Sequence, residues 1–278
     1  MGFDDPRKLT KRDIIGWKDA LLNSRLAPKT VQNHLIIAST VFAWGVENER
    51  LVSNPAQGVE VAVKRHPSQR RLPFSDDDAV RLLQDARHEK GARRWLPWLL
   101  AFSGARLEEI CQSFVSDIRK QGDIWHIDIN ADHSSKALKN AGSARKVPLH
   151  PALIEEGFLD YVQSLPKEGP LFPDLSPDRF GKRGGNGTKI IGRWVRERIK
   201  DPRKAPNHAW RHRFKDQCRA VEIEKSVHDA LTGHASRDEG DRYGLGYPLS
   251  VLARAVAKLP NPLAMPDREA TRKVGAAD

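Results

Sequence analysis

The stretch NHAWRHRF (207–214) sets two kinds of residue on one helical pattern. His208 and Arg211 are three residues apart and His212 lies four from His208, so these groups share a helix face. Trp210 and Phe214, also four apart, read as core residues rather than platforms for stacked bases. Two histidines at i and i+4 also match the spacing of an H-E-x-x-H zinc helix. Here, however, Ala209 stands at the glutamate position and Arg211 would bring a fixed cation beside the metal. The zinc reading is therefore poor, and no metal or other cofactor is expected.

The composition frames that stretch. In 278 residues there are 47 Lys and Arg against 36 Asp and Glu, a formal net charge of +11. A balance that basic points to a polyanionic partner, nucleic acid first and an anionic membrane surface second. No apolar run reaches the length of a membrane span and no signal peptide opens the chain, so no membrane partner is expected. Cys111 and Cys218 are the only cysteines and do not form C-x-x-C spacing. Neither a disulfide framework nor a zinc knuckle is implied, and a reducing cytoplasm fits.

Around the central stretch the pattern is mainly helical with a small antiparallel sheet, an α+β class. Thr10 is placed to cap a helix carrying Ile14, Ile15, Trp17, Leu21 and Leu22. Pro28 opens a second, with Val31, Leu35, Ile36, Ser39, Phe42 and Val46 near one face. The basic, proline-containing run VAVKRHPSQRRLP (61–73) reads as an interdomain linker. Ser75 and Asp78 then form a capping-box pattern at the start of a new helix. GARRWLPWLLAFSG (91–104) is a strongly apolar helix and ARLEEICQSFVSDI (105–118) a short one. DIWHIDI (123–129) and ARKVPLH (144–150) read as neighbouring strands. Helical patterns return at 151–164, 188–199, 207–222 and 247–259. The expected division is a helical domain at 1–63, a linker at 64–73, a larger domain at 74–259 and a tail at 260–278.

Three further places could carry chemistry. In SGARLEEI, Arg106 follows Ser-Gly at a helix start with Glu109 three residues on. KALKNAGSARKVPLH supplies a basic turn between strands. LTGHASRDEGDRYG places Tyr243 nine residues after His234, in a polar, glycine-flanked segment with little apolar company. Each alone has a plain structural reading: a surface ion pair, solvated lysines, a loop.

Together, in this order and spacing, they resemble the tyrosine recombinase (phage integrase) family over most of the chain. The resemblance rests on Gly104-Ala105-Arg106 with Glu109, Lys139 ahead of Arg145-Lys146-Val147-Pro148-Leu149, His208 with Arg211 and His212, and Gly233-His234 followed by Tyr243. TVQNHLIIASTVFAWGVENERLVSNP (30–55) also looks like the second half of the family's helical core-binding domain. Two departures stand out: Thr232 where an apolar residue is commoner, and a core-binding domain expected to be shortened at its N-terminus.

The resemblance implies a two-domain, C-shaped clamp on double-stranded DNA that cuts and rejoins strands through a 3′-phosphotyrosyl intermediate without metal or ATP. It implies Tyr243 as nucleophile, Arg106 and Arg211 as a phosphate clamp, His208 as base, Lys139 as acid, and His234 as a phosphate donor. Glu109 is expected to orient the site from behind. Lys139 is preferred to Lys136 on its spacing to Pro148. Tyr247, before Pro248, reads as a packing residue at the start of a helix. That last helix, with Val251, Leu252, Ala255, Val256 and Leu259 on one face, is expected to dock on a neighbouring protomer. The expected assembly is four protomers on two duplexes, integrating or excising a mobile element at the nucleoid; a monomer free in solution is compatible with it. The rival expectations are a relaxing topoisomerase of the same chemistry and a non-catalytic helical DNA-binding accessory protein.

Overall fold

The computed structural model of the chain describes residues 5–62, 71–234 and 246–264. It divides into two units, Met1–Arg70 and Arg71–Asp278.

The first unit is built on α1 (Lys11–Asn23) and α2 (Pro28–Glu47). Thr10 caps α1 reciprocally with Asp13, whose carboxylate accepts from the Thr10 backbone N–H at 2.9 Å. Pro28 at the first position of α2 has no N–H to leave unpaired, and its fixed φ suits a helix start. Ile14, Val31, Leu35, Ala56 and Val59 form the small core. Ile36, expected on the buried face, is instead 50% exposed, because Val31 and Leu35 set an inward direction from which it is turned away.

The second unit begins where Ser75 and Asp78 cap α3 (Asp76–Ala86), whose first turn carries three aspartates against the positive helix end. The expected linker 64–73 falls mostly outside the described residues. Its end belongs to this unit, where the Leu72 N–H donates to the Arg203 carbonyl at 3.1 Å. The strongly apolar α4 (Gly91–Ser103) buries most of its length and contacts α3, α8 (Gly184–Arg198) and α9 (Ala209–Ala220). Trp98, Trp210, Phe74 and Phe214 lie in that core, with Phe74 and Trp210 meeting edge to face at 5.0 Å.

The segment read as one helix over 105–118 is shorter. The helix α5 spans Leu107–Cys111, and the chain then turns into strand β1 (Ile118–Gln121). The reason is tertiary. The Leu171 N–H donates to the Ser113 carbonyl, Val115 N–H to Gly169, and Phe114 N–H to the Asp117 carboxylate at 2.7 Å. Strand β1 pairs antiparallel with β2 (Ile124–Ile129), and β2 with β3 (Arg145–Pro148), in the order β1-β2-β3. Ile127 faces Val147 across the second pair. The helical pattern at 151–164 is split by Gly157 into α6 (Pro151–Glu155) and α7 (Phe158–Gln163). A further helix, α10 (Lys225–Thr232), lies between α9 and α11 (Leu249–Ala257).

The last helix corrects an expectation. The apolar face of α11 is covered by its own chain, against β2, β3 and α10, with Leu252, Ala255, Val256 and Leu259 buried. The His150 ring also bonds the Leu259 carbonyl at 3.0 Å. A face already buried in cis has no comparable area left to dock on a neighbour. Among the described residues, no helix is long and apolar enough to cross a membrane.

Candidate active site

Four elements bring their ends together. Arg106 precedes the first turn of α5, Arg145 begins β3, Arg211 lies in the first turn of α9, and His234 follows the C-terminus of α10. Two glycines permit this approach. Gly104 ends α4 at φ +60°, and a Cβ there would stand 2.5 Å from the Phe214 ring and 2.8 Å from Thr232. Gly233 ends α10 at φ +64°, where a Cβ would meet the Arg145 guanidinium at 2.6 Å.

Glu109 is the hub. Its carboxylate, 4% exposed, accepts from the Arg106 backbone N–H at 2.9 Å, from the Arg106 guanidinium at 2.6 Å and from Arg145 Nη2 at 2.8 Å. Burial alone would raise its pKa, but Arg145 and Arg106 outweigh burial and hold it below the ordinary glutamate value. Arg145 also donates to the carbonyls of Leu231, at the end of α10, and Ser143, so one side chain ties α5, β3 and α10. The sequence motifs do not mark it as part of the site. The signal was available: Arg145 sits two residues before Val147 on a strand, hence on the core-facing side.

Arg211 is buried and donates to the Gly104 carbonyl at 2.5 Å. Burial, then the neighbouring charges of Arg106 and Arg145, pull its pKa down to about 10, so it stays charged near neutrality. Its other nitrogen lies 3.0 Å from Nδ1 of His234, and the Thr232 hydroxyl is 2.8 Å from the same atom. A guanidinium can only donate, so Nδ1 accepts and the ring hydrogen sits on Nε2. Partial burial and the charges of Arg211 and Lys215 bring His234 down to about 4, which keeps it neutral. Thr232, the departure noted in the sequence, gives its one hydroxyl hydrogen to the His228 carbonyl at 2.8 Å and sets its oxygen against the same edge of the imidazole.

His208 stands at the start of α9 with its pKa lowered, first by partial burial and then by His212, Arg211, Arg106 and Arg71. It is neutral and able to accept a proton at pH 7. His212 lies one turn on and is exposed. Among the described residues, no three His, Cys, Asp or Glu side chains gather in a metal-holding group.

The two candidate lysines differ sharply. The Lys136 side chain is 4% exposed and bonded to both oxygens of Asp117 and to Asn130, whereas Lys139 is exposed in the loop joining β2 to β3. Tyr247 is 38% exposed and donates to the Ser226 hydroxyl at 2.8 Å. Tyr243, the expected nucleophile, lies outside the described residues.

The arrangement holds three guanidinium groups around one carboxylate, flanked by two neutral imidazoles. One carboxylate balances one of three fixed charges, and planar forks of this kind suit phosphate oxygens. The site is built to take an anion.

No protein-family profile and no curated protein matches the chain. Solved structures do. The integrase of transposon Tn1549, in complex with a circular intermediate DNA, superposes with a TM-score of 0.61 at 14% identity, covering 98% of this chain and 87% of that one. The same transposon's integrase with right-end DNA gives 0.59 at 16%, covering 89% and 84%. A lambda integrase dimer bound to a COC′ core site gives 0.58 at 14%, covering 84% and 81%. The chain has the fold of the tyrosine recombinases.

Proposed function

We propose that this chain is a site-specific DNA recombinase that cuts and rejoins strands through a covalent tyrosyl intermediate. The observation that carries this reading is the Arg106–Glu109–Arg145–Arg211 cluster with His234 beside it, a cationic pocket only partly neutralised, in which Arg145 joins residues that the sequence singled out. That structures of the same fold hold DNA supports DNA as the partner.

The residues would act as follows. Arg106 and Arg211 bind the two non-bridging oxygens of a phosphodiester, and His234 donates through Nε2–H. Because these donors are already fixed, they stabilise charge as it develops without reorganising, commonly the largest single contribution to rate. The Tyr243 hydroxyl oxygen attacks phosphorus while its proton passes to neutral His208. A free tyrosine at pH 7 is phenolate only to about 0.1%, so the cationic field and the base are both needed. The bond to the 5′-oxygen breaks, and Lys139 supplies the proton that oxygen takes. The resulting 3′-phosphotyrosyl ester retains the energy of the broken bond, so a 5′-hydroxyl from a partner strand reverses the sequence without ATP. The helical N-terminal unit and the basic run after it would grip the duplex, and four protomers on two duplexes would exchange strands between sites of a mobile element.

The test uses a pool of nicked duplexes with a randomised core, in which loss of the short 5′-terminal fragment traps any covalent adduct. The wild-type chain should yield an adduct resistant to denaturation, in chelator as well as without it, and Arg211→Ala should yield none. A wild-type chain that binds DNA but never forms an adduct would leave the non-catalytic reading in place. Relaxation of supercoiled DNA with no exchange between two duplexes would instead favour the topoisomerase reading.

A further inference from the structure

The loop that carries Lys139 is fixed on both sides of that residue. On the near side, the Gln112 side-chain amide pairs with the backbone of Ala137 in both directions: Nε2 donates to the Ala137 carbonyl at 3.0 Å, and Oε1 accepts from its N–H at 2.9 Å. One residue earlier, Lys136 Nζ donates to both Asp117 oxygens at 2.8 and 2.7 Å and to Asn130 Oδ1 at 2.8 Å. Asn130 in turn donates to Asp117 at 3.0 Å, and Lys136 lies 5.0 Å from the centre of the Phe114 ring. On the far side, Ser143 is fully buried, with its hydroxyl bonded to Asn140 at 2.6 Å and its carbonyl held by Arg145. Lys139 is the exposed cation between these anchors, and its side chain makes no hydrogen bond or ion pair with any described residue.

We propose that Gln112, Asp117, Asn130 and Lys136 form a latch that positions Lys139 for leaving-group protonation. Gln112 closes α5, the same short helix that Arg106 opens. At a rise of about 1.5 Å per residue, the latch lies roughly 9 Å from the phosphate clamp. Two residues of chain from Ala137 add at most about 7 Å, so Lys139 is tied by a short path to the helix that carries Arg106. Without the latch the loop keeps Leu138 against the core and the far anchor at Ser143, but loses its hold on the near side of Lys139. A buried ion pair such as Lys136–Asp117 is weak support for stability in itself, since apolar residues of similar size often do as well; its use here is to specify one loop position. Gln112, Asp117, Asn130 and Lys136 are positioning residues and touch no substrate.

The inference rests on the recombinase reading, and its test separates the two. Cleavage is measured on a nicked duplex recovered from the pool, once with the ordinary phosphodiester and once with sulfur as the 5′-bridging atom, which leaves without a proton. Wild type, Gln112→Ala, Lys136→Ala, Lys139→Ala and the Gln112→Ala/Lys139→Ala double variant are compared. Gln112→Ala should slow cleavage of the oxygen substrate by roughly ten- to a hundred-fold, as a displaced acid would, and cut the sulfur substrate at the wild-type rate. The double variant should be no slower than Lys139→Ala, because both changes remove one function. Cleavage of the sulfur substrate doubles as the folding control; if Gln112→Ala does not fold, the isosteric Gln112→Glu, which loses the donor to the Ala137 carbonyl, carries the same expectation. Equal loss on both substrates, or losses that multiply in the double variant, would overturn the latch. So would sulfur rescue of Lys136→Ala with Gln112→Ala at wild-type rate on oxygen, which would make Lys136 the acid. A wild type inert on both substrates would overturn the recombinase reading instead.

Discussion

Replacing Glu109 by glutamine keeps the shape of the hub and removes its charge. The wild-type carboxylate takes three hydrogen bonds from two arginines while 4% exposed, so Glu109→Gln leaves Arg106, Arg145 and Arg211 facing one another with no anion among them. Removing one partner of a buried pair typically costs ~3–5 kcal/mol, because the remaining charge stays desolvated. For a domain of this size each kcal/mol moves the melting temperature by roughly 2–4 °C, so a fall near 10 °C is expected. The readout is thermal and urea denaturation at pH 7, with and without added sulfate. Sulfate should stabilise the variant more than the wild type, because an anion that binds only the folded state replaces the missing charge. The pH dependence has a fixed sign. Glu109 has a folded pKa below its ordinary value of 4.5, so its contribution is present above that pH and is lost as pH falls through the lowered value. The gap between wild type and variant should therefore narrow below pH 4.5. In a double-mutant cycle with Arg145→Met the two losses should be strongly non-additive. A loss under about 1 kcal/mol, the usual worth of a surface pair, together with additive behaviour, would refute the hub.

Other outcomes follow from the same structure. Gly104→Ala places a Cβ 2.5 Å from the Phe214 ring at φ +60°, so a loss of at least ~2 kcal/mol is expected from strain and clash, read as a lower urea midpoint. His126, His150, His208, His228 and His234 all have folded pKa values below 6.5, largely through burial. The folded state then binds fewer protons than the unfolded one below pH 6.5, so stability should rise with pH from about 4 to 6.5; a flat urea midpoint across that window would contradict it. Affinity for duplex DNA should fall steeply with salt, with a log–log slope of about −0.9 per phosphate contacted, and a slope near zero would remove DNA as the partner.

The sequence made the site legible where chemistry and spacing coincide. Arg106, Arg211 and His234 are far apart in the chain yet converge, because each lies at a helix end that glycine or a short turn allows to approach its neighbours. What it hid depends on distant contacts. Strand β1 reads IRKQ, with three of its four residues exposed, so it shows no apolar alternation, and α5 ends early because residues 169–171 capture the backbone of 113–115. Helix α10 is faint in the sequence although its buried Val227, His228, Leu231 and Thr232 recur at helical spacing, because a histidine and a threonine among them weaken the apolar signal. Arg145 reads in the sequence as part of a strand motif, and its central place depends on Glu109 lying between it and Arg106 in the fold.

The central claim is that Tyr243 forms the covalent bond to DNA. Tyr243→Phe removes one oxygen and keeps the ring, so DNA affinity and thermal stability should change little, while Tyr247→Phe and Tyr161→Phe leave the nucleophile untouched. The direct measurement is peptide mapping of the adduct trapped on the nicked duplex. A phosphotyrosyl peptide containing Tyr243, absent from Tyr243→Phe and retained in Tyr247→Phe, is the predicted result; an adduct at Tyr247, or one that survives Tyr243→Phe, would contradict the account.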